Sequence, residues 1–225
     1  MIVAILSPDT HMKQRMMNNF SCLASNLDTC KERTDSMNTN LAYQDAFPEE
    51  LINGEVVAMS PAASNHNRIS GNIHAIFWTY LKDKPCEPFP DGENLFLSEK
   101  DHFIPDVMIV CDPDKIKHNG VHGAPDLVVE VLSPSTAKND KGYKKEAYAA
   151  AGVKEYWIVS PNDKLLEQYL LKDGQFILHD VYVIHPDYEL TKMTEEERAA
   201  LVTEFKCSLF DDLLISLEDI FRRVK

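Results

Sequence analysis

The chain is short of positive charge. Its 225 residues carry 23 Lys and Arg against 36 Asp and Glu, a formal net charge of −13. That balance favours solubility and speaks against tight non-specific binding to nucleic acid, which depends on exposed cations. Any site that handles a polyanion must therefore be local. CxxC pairs are also missing: Cys22, Cys30, Cys86, Cys111 and Cys207 are scattered and odd in number. This argues against a zinc site or a disulfide framework and fits a reducing cytoplasm. No apolar run has the length of a membrane span. The opening "MIVAIL" lacks the basic start and the length of a signal peptide, so the protein is expected to stay in the cytoplasm. Internal repeats are absent. "LSPST", with Ser133 and Ser135, lacks the glycines of a G-x-S-x-G elbow, which sets a serine hydrolase aside.

What is present is a core. Hydrophobic residues make up 44% of the chain, and the length suits one domain with room for an appendage. Residues 1–40 show no sustained apolar period and are rich in Asn, Ser, Thr and Met. They read as a loosely held tail, dispensable for the fold, with a short helix around Met12 to Leu27. The domain is expected to begin near Leu41.

From there the pattern alternates. Asn53-Gly54 between apolar runs is a hairpin signal. Ile69, Ile73, Ile76, Phe77, Tyr80 and Leu81 mark one face of a helix, with Ser64 or Asn65 as its N-cap. "NLFLSEKDHFIPDVMIVCD" predicts a hairpin turning at Ser98 to Asp101, with a second strand from Phe103 to Cys111. "PDLVVEVL" predicts a strand covered on both faces. "DKGYKKEAYAAAG" predicts a helix ending at Gly152, followed by the strand "VKEYWIVS". A second hairpin turns at Asp173-Gly174, Thr194 and Glu197 form a capping-box pattern, and "ISLEDIFRRVK" closes as a helix. The fold class is α/β (α+β), a central mixed sheet flanked by helices.

Two Pro-Asp pairs lead apolar strands, Pro105-Asp106 and Pro125-Asp126. An isolated Pro-Asp is most simply a strand-edge residue bonded to nearby backbone. Glu130 is harder to place, because its neighbours in "LVVEVL" predict burial. A buried carboxylate must meet a cation or become neutral, and both a metal ion and a lysine qualify. Asp126 and Glu130 lie about 13 Å apart along one strand, too far to share one ion. Asp106 starts a different strand, and neighbouring strands lie only about 4.8 Å apart. Asp106 with Glu130 is the better pair.

Lys144, Tyr148 and Gly152 recur every four residues on one helix face. Lys144 should therefore point toward the sheet edge, where a lysine carries little stability. Lys145 should meet solvent, and Asp140 reads as the N-cap. His118 and His122 in "HNGVHG" have a spacing that a metal site could use, but Gly120 and Gly123 make a loop there, whose simpler reading is solvated. Tyr156 and Trp157 read as core residues rather than base-stacking platforms.

With these residues in hand, the chain resembles the Uma-two family of restriction-endonuclease-like proteins, in the PD-(D/E)xK nuclease superfamily. The likeness rests on "EELINGEVVAMSPAASNH", "IPDVMIV", "PDLVVEVLSPST" and the D-x3-K-x3-Y-x3-GVKEYWIV run from Asp140 to Val159. It covers residues 41 onward. The resemblance implies a restriction-endonuclease-like core and a Mg²⁺- or Mn²⁺-dependent endonuclease. Asp106 and Glu130 would be the metal ligands, Lys144 the catalytic lysine and Glu50 a further acid at the site. The superfamily lysine two residues after the second acid is here Leu132, so its role would pass to Lys144. Asn53 stands where Asp is common, and His66 matches a recurrent position of unassigned role. The implied partner is nucleic acid, DNA in the first instance, and a homodimer would suit a duplex cut on both strands. The rival reading is a non-catalytic nucleic-acid-binding or regulatory module on a nuclease fold. Retention of Asp106, Glu130 and Lys144 together weighs against it.

Overall fold

The structure, a computed structural model, describes residues 48–225. The expected tail, its helix, the domain start near Leu41, Cys22 and Cys30 lie outside the described residues.

Two six-stranded sheets organise these residues. The first contains β1 (Glu49–Ile52), β2 (Glu55–Ala58), β4 (Leu95–Phe96), β5 (His102–Phe103), β7 (Ile116–Lys117) and β8 (Gly120–His122), in the order β2-β1-β5-β4-β8-β7. The β1–β2 hairpin turns at Asn53 and Gly54, with φ of 53° and 80°. Asn and Gly tolerate that left-handed backbone, as the sequence predicts.

The second sheet contains β3 (Glu87–Pro90), β6 (Val107–Val110), β9 (Leu127–Val131), β10 (Glu155–Ser160), β11 (Leu165–Lys172) and β12 (Gln175–Val183), in the order β12-β11-β10-β9-β6-β3. β9 and β10 run parallel; the other pairs are antiparallel. The mixed sheet expected from the sequence is therefore present. α1 (Ser64–Tyr80) packs Ile69, Ile73 and Phe77 against one face, in a core with Val107, Val129 and Trp157. The other face carries Met108, Val128 and Tyr156, packed with Tyr148 of the helix that follows β9 and with Phe103 and Leu95 of the first sheet. The β11–β12 hairpin turns at Asp173-Gly174 as predicted. Past it lie α4 (Asp187–Leu190), α5 (Glu195–Ala199), β13 (Glu204–Lys206), β14 (Leu214–Ser216) and α6 (Leu217–Ile220). Thr194 and Glu197 form the capping box of α5. The closing helix is shorter than the sequence suggests, ending at Ile220.

Three departures bear on the site. The expected strand from Phe103 to Cys111 is two strands in two sheets, β5 and β6, interrupted at Ile104-Pro105-Asp106. Proline has no N–H to give a ladder, and the Ile104 N–H donates to the Glu50 carboxylate instead, at 2.9 Å. The helix after Ser133 is also broken, into α2 (Ala137–Lys141) and α3 (Tyr143–Ala151). At the break a Cβ on Gly142 would lie 2.7 Å from the Lys138 carbonyl oxygen, so only glycine fits. The N-cap of α1 is Ala63, without a side-chain bond; Asn65 instead donates to the Lys225 carbonyl at 2.7 Å.

The cysteine expectation is overturned. Cys86 and Cys111 form a disulfide. They are 25 residues apart in sequence, but the antiparallel register that pairs Glu87 with Val110 sets them directly opposite. The cysteine argument for a reducing compartment falls with it. Cys207 is free and buried. Among the described residues no helix is long and apolar enough to cross a membrane.

Glu155 is a further buried carboxylate, at 0% exposure. No cation pairs with it among the described residues. It accepts from Trp157 Nε1 and Gln168 Nε2, each at 2.6 Å, from the Ser208 N–H at 2.8 Å and from the Ser208 hydroxyl. It thus ties the segment after β13 to the central sheet.

Candidate active site

The register between β6 and β9 pairs Val107 with Val129. One step further sets Asp106 opposite Glu130, side chains on the same face, as strand arithmetic predicts. Both are buried, at 6% and 3% exposure. Asp126, the other Pro-Asp residue, is structural: it accepts from the Cys111 N–H at 2.8 Å and pairs with Lys154 at 2.7 Å.

Asp106 Oδ1 lies 2.7 Å from His66 Nε2, on the first turn of α1, and Oδ2 accepts from the Val131 N–H at 2.6 Å. Glu130 Oε1 accepts from the Tyr148 hydroxyl at 2.7 Å and lies 2.7 Å from Lys144 Nζ. Glu50 reaches in from β1, and its Oε1 is 2.9 Å from the same Nζ. Asp140 of α2 stands 3.6 Å from it, across the break at Gly142. These side chains floor a cleft of about 460 Å³, walled by the chain from Val57 to Ala63 and by Ser133 to Thr136, with Asp91 at its side.

Two expectations are corrected here. Asp140 is not an N-cap: it sits within α2, 1% exposed, facing Lys144. Lys144 is not a sheet-edge residue; at 3% exposure it is interior, because β1 closes over it with Glu50. The helix register itself is as predicted. Lys145 leans over the Tyr169 ring, and Lys141 pairs with Glu167 at the surface.

Charge crowding shapes the protonation states. Burial pushes Glu130 well above the usual carboxylate range; Lys144 opposes this, while Asp140, Asp106 and Glu50 add to it. Burial likewise raises Asp140 and Asp91. Burial alone would depress Lys144, but Glu130, Glu50 and Asp140 outweigh it and hold the ammonium above its ordinary value. For His66 burial acts downward, and the bond to Asp106 with the charges of Asp106, Asp91 and Asp140 carries it above 6.5.

Five carboxylates thus share one cleft with one lysine and one histidine. The surplus is negative, which a hard divalent cation would relieve. Both contacts to Glu50 and both to Glu130 fall on Oε1, leaving each Oε2 for another partner. Asp140 Oδ1 is buried without a hydrogen bond. An all-oxygen set of this kind fits Mg²⁺ or Mn²⁺. Among the described residues no three His, Cys, Asp or Glu side chains form a ready-made metal cage. Mg²⁺ commonly uses only one or two carboxylates with waters and substrate phosphate.

A family model described as "Putative restriction endonuclease", Uma2, matches residues 43–201. The chain belongs to the Uma2 family. One similar protein, an uncharacterized protein of Synechocystis sp., is 29% identical over 149 residues, covering 64% of this chain and 84% of its own length. A second from the same organism is 31% identical over 134 residues, 59% of this chain and 64% of that protein. A crystal structure from Anabaena variabilis, titled as "a putative nuclease belonging to DUF820", superposes with a TM-score of 0.57. It covers 77% of this chain and 89% of its own at 19% identity, a likeness of fold.

Within this Uma2 chain, Asp106, Glu130, Lys144, Glu50 and His66 converge, all five named from sequence. Asp91 and the inward role of Asp140 were missed. Asp140 could have been found by its four-residue spacing from Lys144, the same spacing that singled out Tyr148. Asp91, in the turn before β4, carries no local signal. His122 stacks on Phe96 and its Nε2 lies 3.0 Å from Asn119 Oδ1. Tyr156 and Trp157 are fully buried, as expected of core residues.

Proposed function

We propose that the chain is a metal-dependent endonuclease that hydrolyses phosphodiester bonds of nucleic acid, with DNA as substrate. The observation that carries the reading is the excess of buried carboxylate around one fixed ammonium in an accessible cleft. Asp106 and Glu130 would hold Mg²⁺ or Mn²⁺. The bound cation would supply a Lewis acid and a water of lowered pKa.

The remaining work falls to this chain's own side chains. Lys144 stays protonated, so it is no general base. Its ammonium, held by Glu50 and Glu130, is aimed where negative charge develops on a scissile phosphate. Glu50 also accepts the Ile104 N–H two residues before Asp106, and so links the lysine to the strand break that positions that acid. His66 and the Val131 N–H hold Asp106 in one orientation, and Tyr148 does the same for Glu130. A homodimer would offer one such cleft to each strand of a duplex.

The test combines calorimetry with cleavage. Wild type should bind Mn²⁺ and cut a generic DNA substrate; Asp106→Ala and Glu130→Ala should each lose both properties. Unchanged metal affinity in both variants refutes the ligand assignment. A wild type that binds nucleic acid and cuts none with any divalent metal moves the non-catalytic module ahead.

A further inference from the structure

We infer that the nucleic-acid backbone docks on a basic edge formed by Arg68, Arg222, Arg223 and Lys225, on the helix whose first turn lines the carboxylate cleft. The inference rests on the reading of the chain as one that handles nucleic acid, and it names the surface that such a substrate needs.

The interior of the cleft cannot supply the attraction. Its only cations are Lys144 and His66, and both are engaged by carboxylates. A polyanion approaching a chain of net charge −13 requires a patch of the opposite sign close by.

The segment after α6 provides one. Phe221 and Val224 are buried, at 4% and 7% exposure, and anchor it. Arg222, Arg223 and Lys225 alternate with these anchors and are exposed. Two asparagines of α1 grip the backbone between them. Asn72 Nδ2 donates to the carbonyls of Ile220 and Arg222, at 2.9 and 3.0 Å. Asn65 Nδ2 donates to that of Lys225 at 2.7 Å. Arg68 lies between the two asparagines on the helix and donates to Asn65 Oδ1 at 2.9 Å.

None of these four cations pairs with a carboxylate among the described residues. Lys84, Lys141 and Lys154 are each matched to an acid. Asp219 is the nearest acid in sequence along this face, and it makes no ion pair with the edge. The edge is also tied to the helix whose first turn lines the cleft. Asn65 immediately precedes His66, whose ring binds Asp106, and Ala62 and Ala63 line the cleft. Asn65 to Asn72 spans about 10 Å of helix. That matches about three nucleotides at the ~3.4 Å rise of one strand.

Fluorescence anisotropy with labelled single-stranded and duplex DNA of about 20 nucleotides tests this, in EDTA and across a salt series. Each phosphate contact contributes a slope of roughly 0.7–0.9 to log K against log salt. The variant R222Q/R223Q/K225Q should flatten the slope by about 2 and lose at least ~10-fold in affinity at low salt. Its thermal melt should match wild type. Arg68→Gln alone should lose about one contact's slope and keeps the test valid if the triple variant folds poorly. K164Q/K172Q/K192Q removes equal charge elsewhere and should behave as wild type.

Wild-type binding by the edge variants overturns the inference. So does an equal loss in the distant-lysine control, or a wild type that binds no nucleic acid. Cleavage is scored separately. Binding with the expected slopes but no cutting supports the edge and refutes the nuclease. Metal-dependent cutting that the edge variants retain in full does the reverse.

Discussion

Removing the ammonium of Lys144 should unfold this protein more readily, not merely silence it. Its Nζ sits 2.7 Å from Glu130 and 2.9 Å from Glu50, with Asp140 at 3.6 Å, at a site only 3% exposed. Lys144→Ala leaves those carboxylates facing one another without a cation. Breaking a buried pair by deleting one partner costs roughly 3–5 kcal/mol, because the remaining charge stays desolvated. In a domain of this size each kcal/mol moves Tm by roughly 2–4 °C, so the fall should lie between about 6 and 20 °C.

The pH dependence separates charge from packing. The folded-state pKa of Lys144 is raised by its carboxylate partners, so while they carry charge its contribution is fully present below its unfolded value of about 10.5. It is lost only as pH rises through the folded value. In the variant the penalty falls on desolvated Glu130 and Asp140, both already raised by burial, and it should shrink as pH falls through their raised range and they take up protons. Urea unfolding of wild type and Lys144→Ala across that range measures this directly. A loss below ~1 kcal/mol at neutral pH, or one that is as large in acid, would refute the account of the site as a charge cluster.

Two further outcomes follow from the same geometry. Asp140→Asn should stabilise the metal-free protein by about 0.5–2 kcal/mol, the range of a relieved electrostatic conflict. The folded pKa of Asp140 is raised by burial, so its cost appears only as pH climbs past the unfolded value. The urea midpoint should therefore rise near neutral pH and not in acid, and a fall at neutral pH contradicts the crowding. Thiol counting should find Cys86 and Cys111 unreactive until a reductant is added, whereas Cys207, buried beside Glu155, stays unreactive until unfolding. Reduction should lower stability by roughly 3 kcal/mol for a loop of this length, and free Cys86 and Cys111 thiols in oxidised native protein would contradict the bond.

The site was largely legible because its chemistry conflicts with its surroundings. A glutamate inside "LVVEVL" has few structural excuses, strand spacing picks Asp106 over Asp126 as its partner, and a four-residue period picks Lys144 over Lys145. What escaped the sequence was depth. Nothing local to α3 says that a strand from another sheet will bring Glu50 down over Lys144, so a lysine at a helix start reads as exposed. Asp140 looked like a cap because the break at Gly142 depends on how close the Lys138 carbonyl comes, a distance set only once both helices are packed. The Cys86–Cys111 pairing likewise depends on a register between two strands far apart in the chain.

Glu155 has a consequence for how the domain assembles. Of its donors, Trp157 lies on its own strand and Gln168 on the adjacent hairpin, but Ser208 arrives from beyond β13. Until that late segment docks, a buried carboxyl group at the start of β10 lacks a main-chain donor and a hydroxyl, each worth more than an ordinary contact in a dry interior. The sheet cannot reach its final stability ahead of the residues that follow it. Nascent chains stopped short of Ser208 should therefore stay open to proteolysis, and the domain should melt as one unit rather than fray from that side.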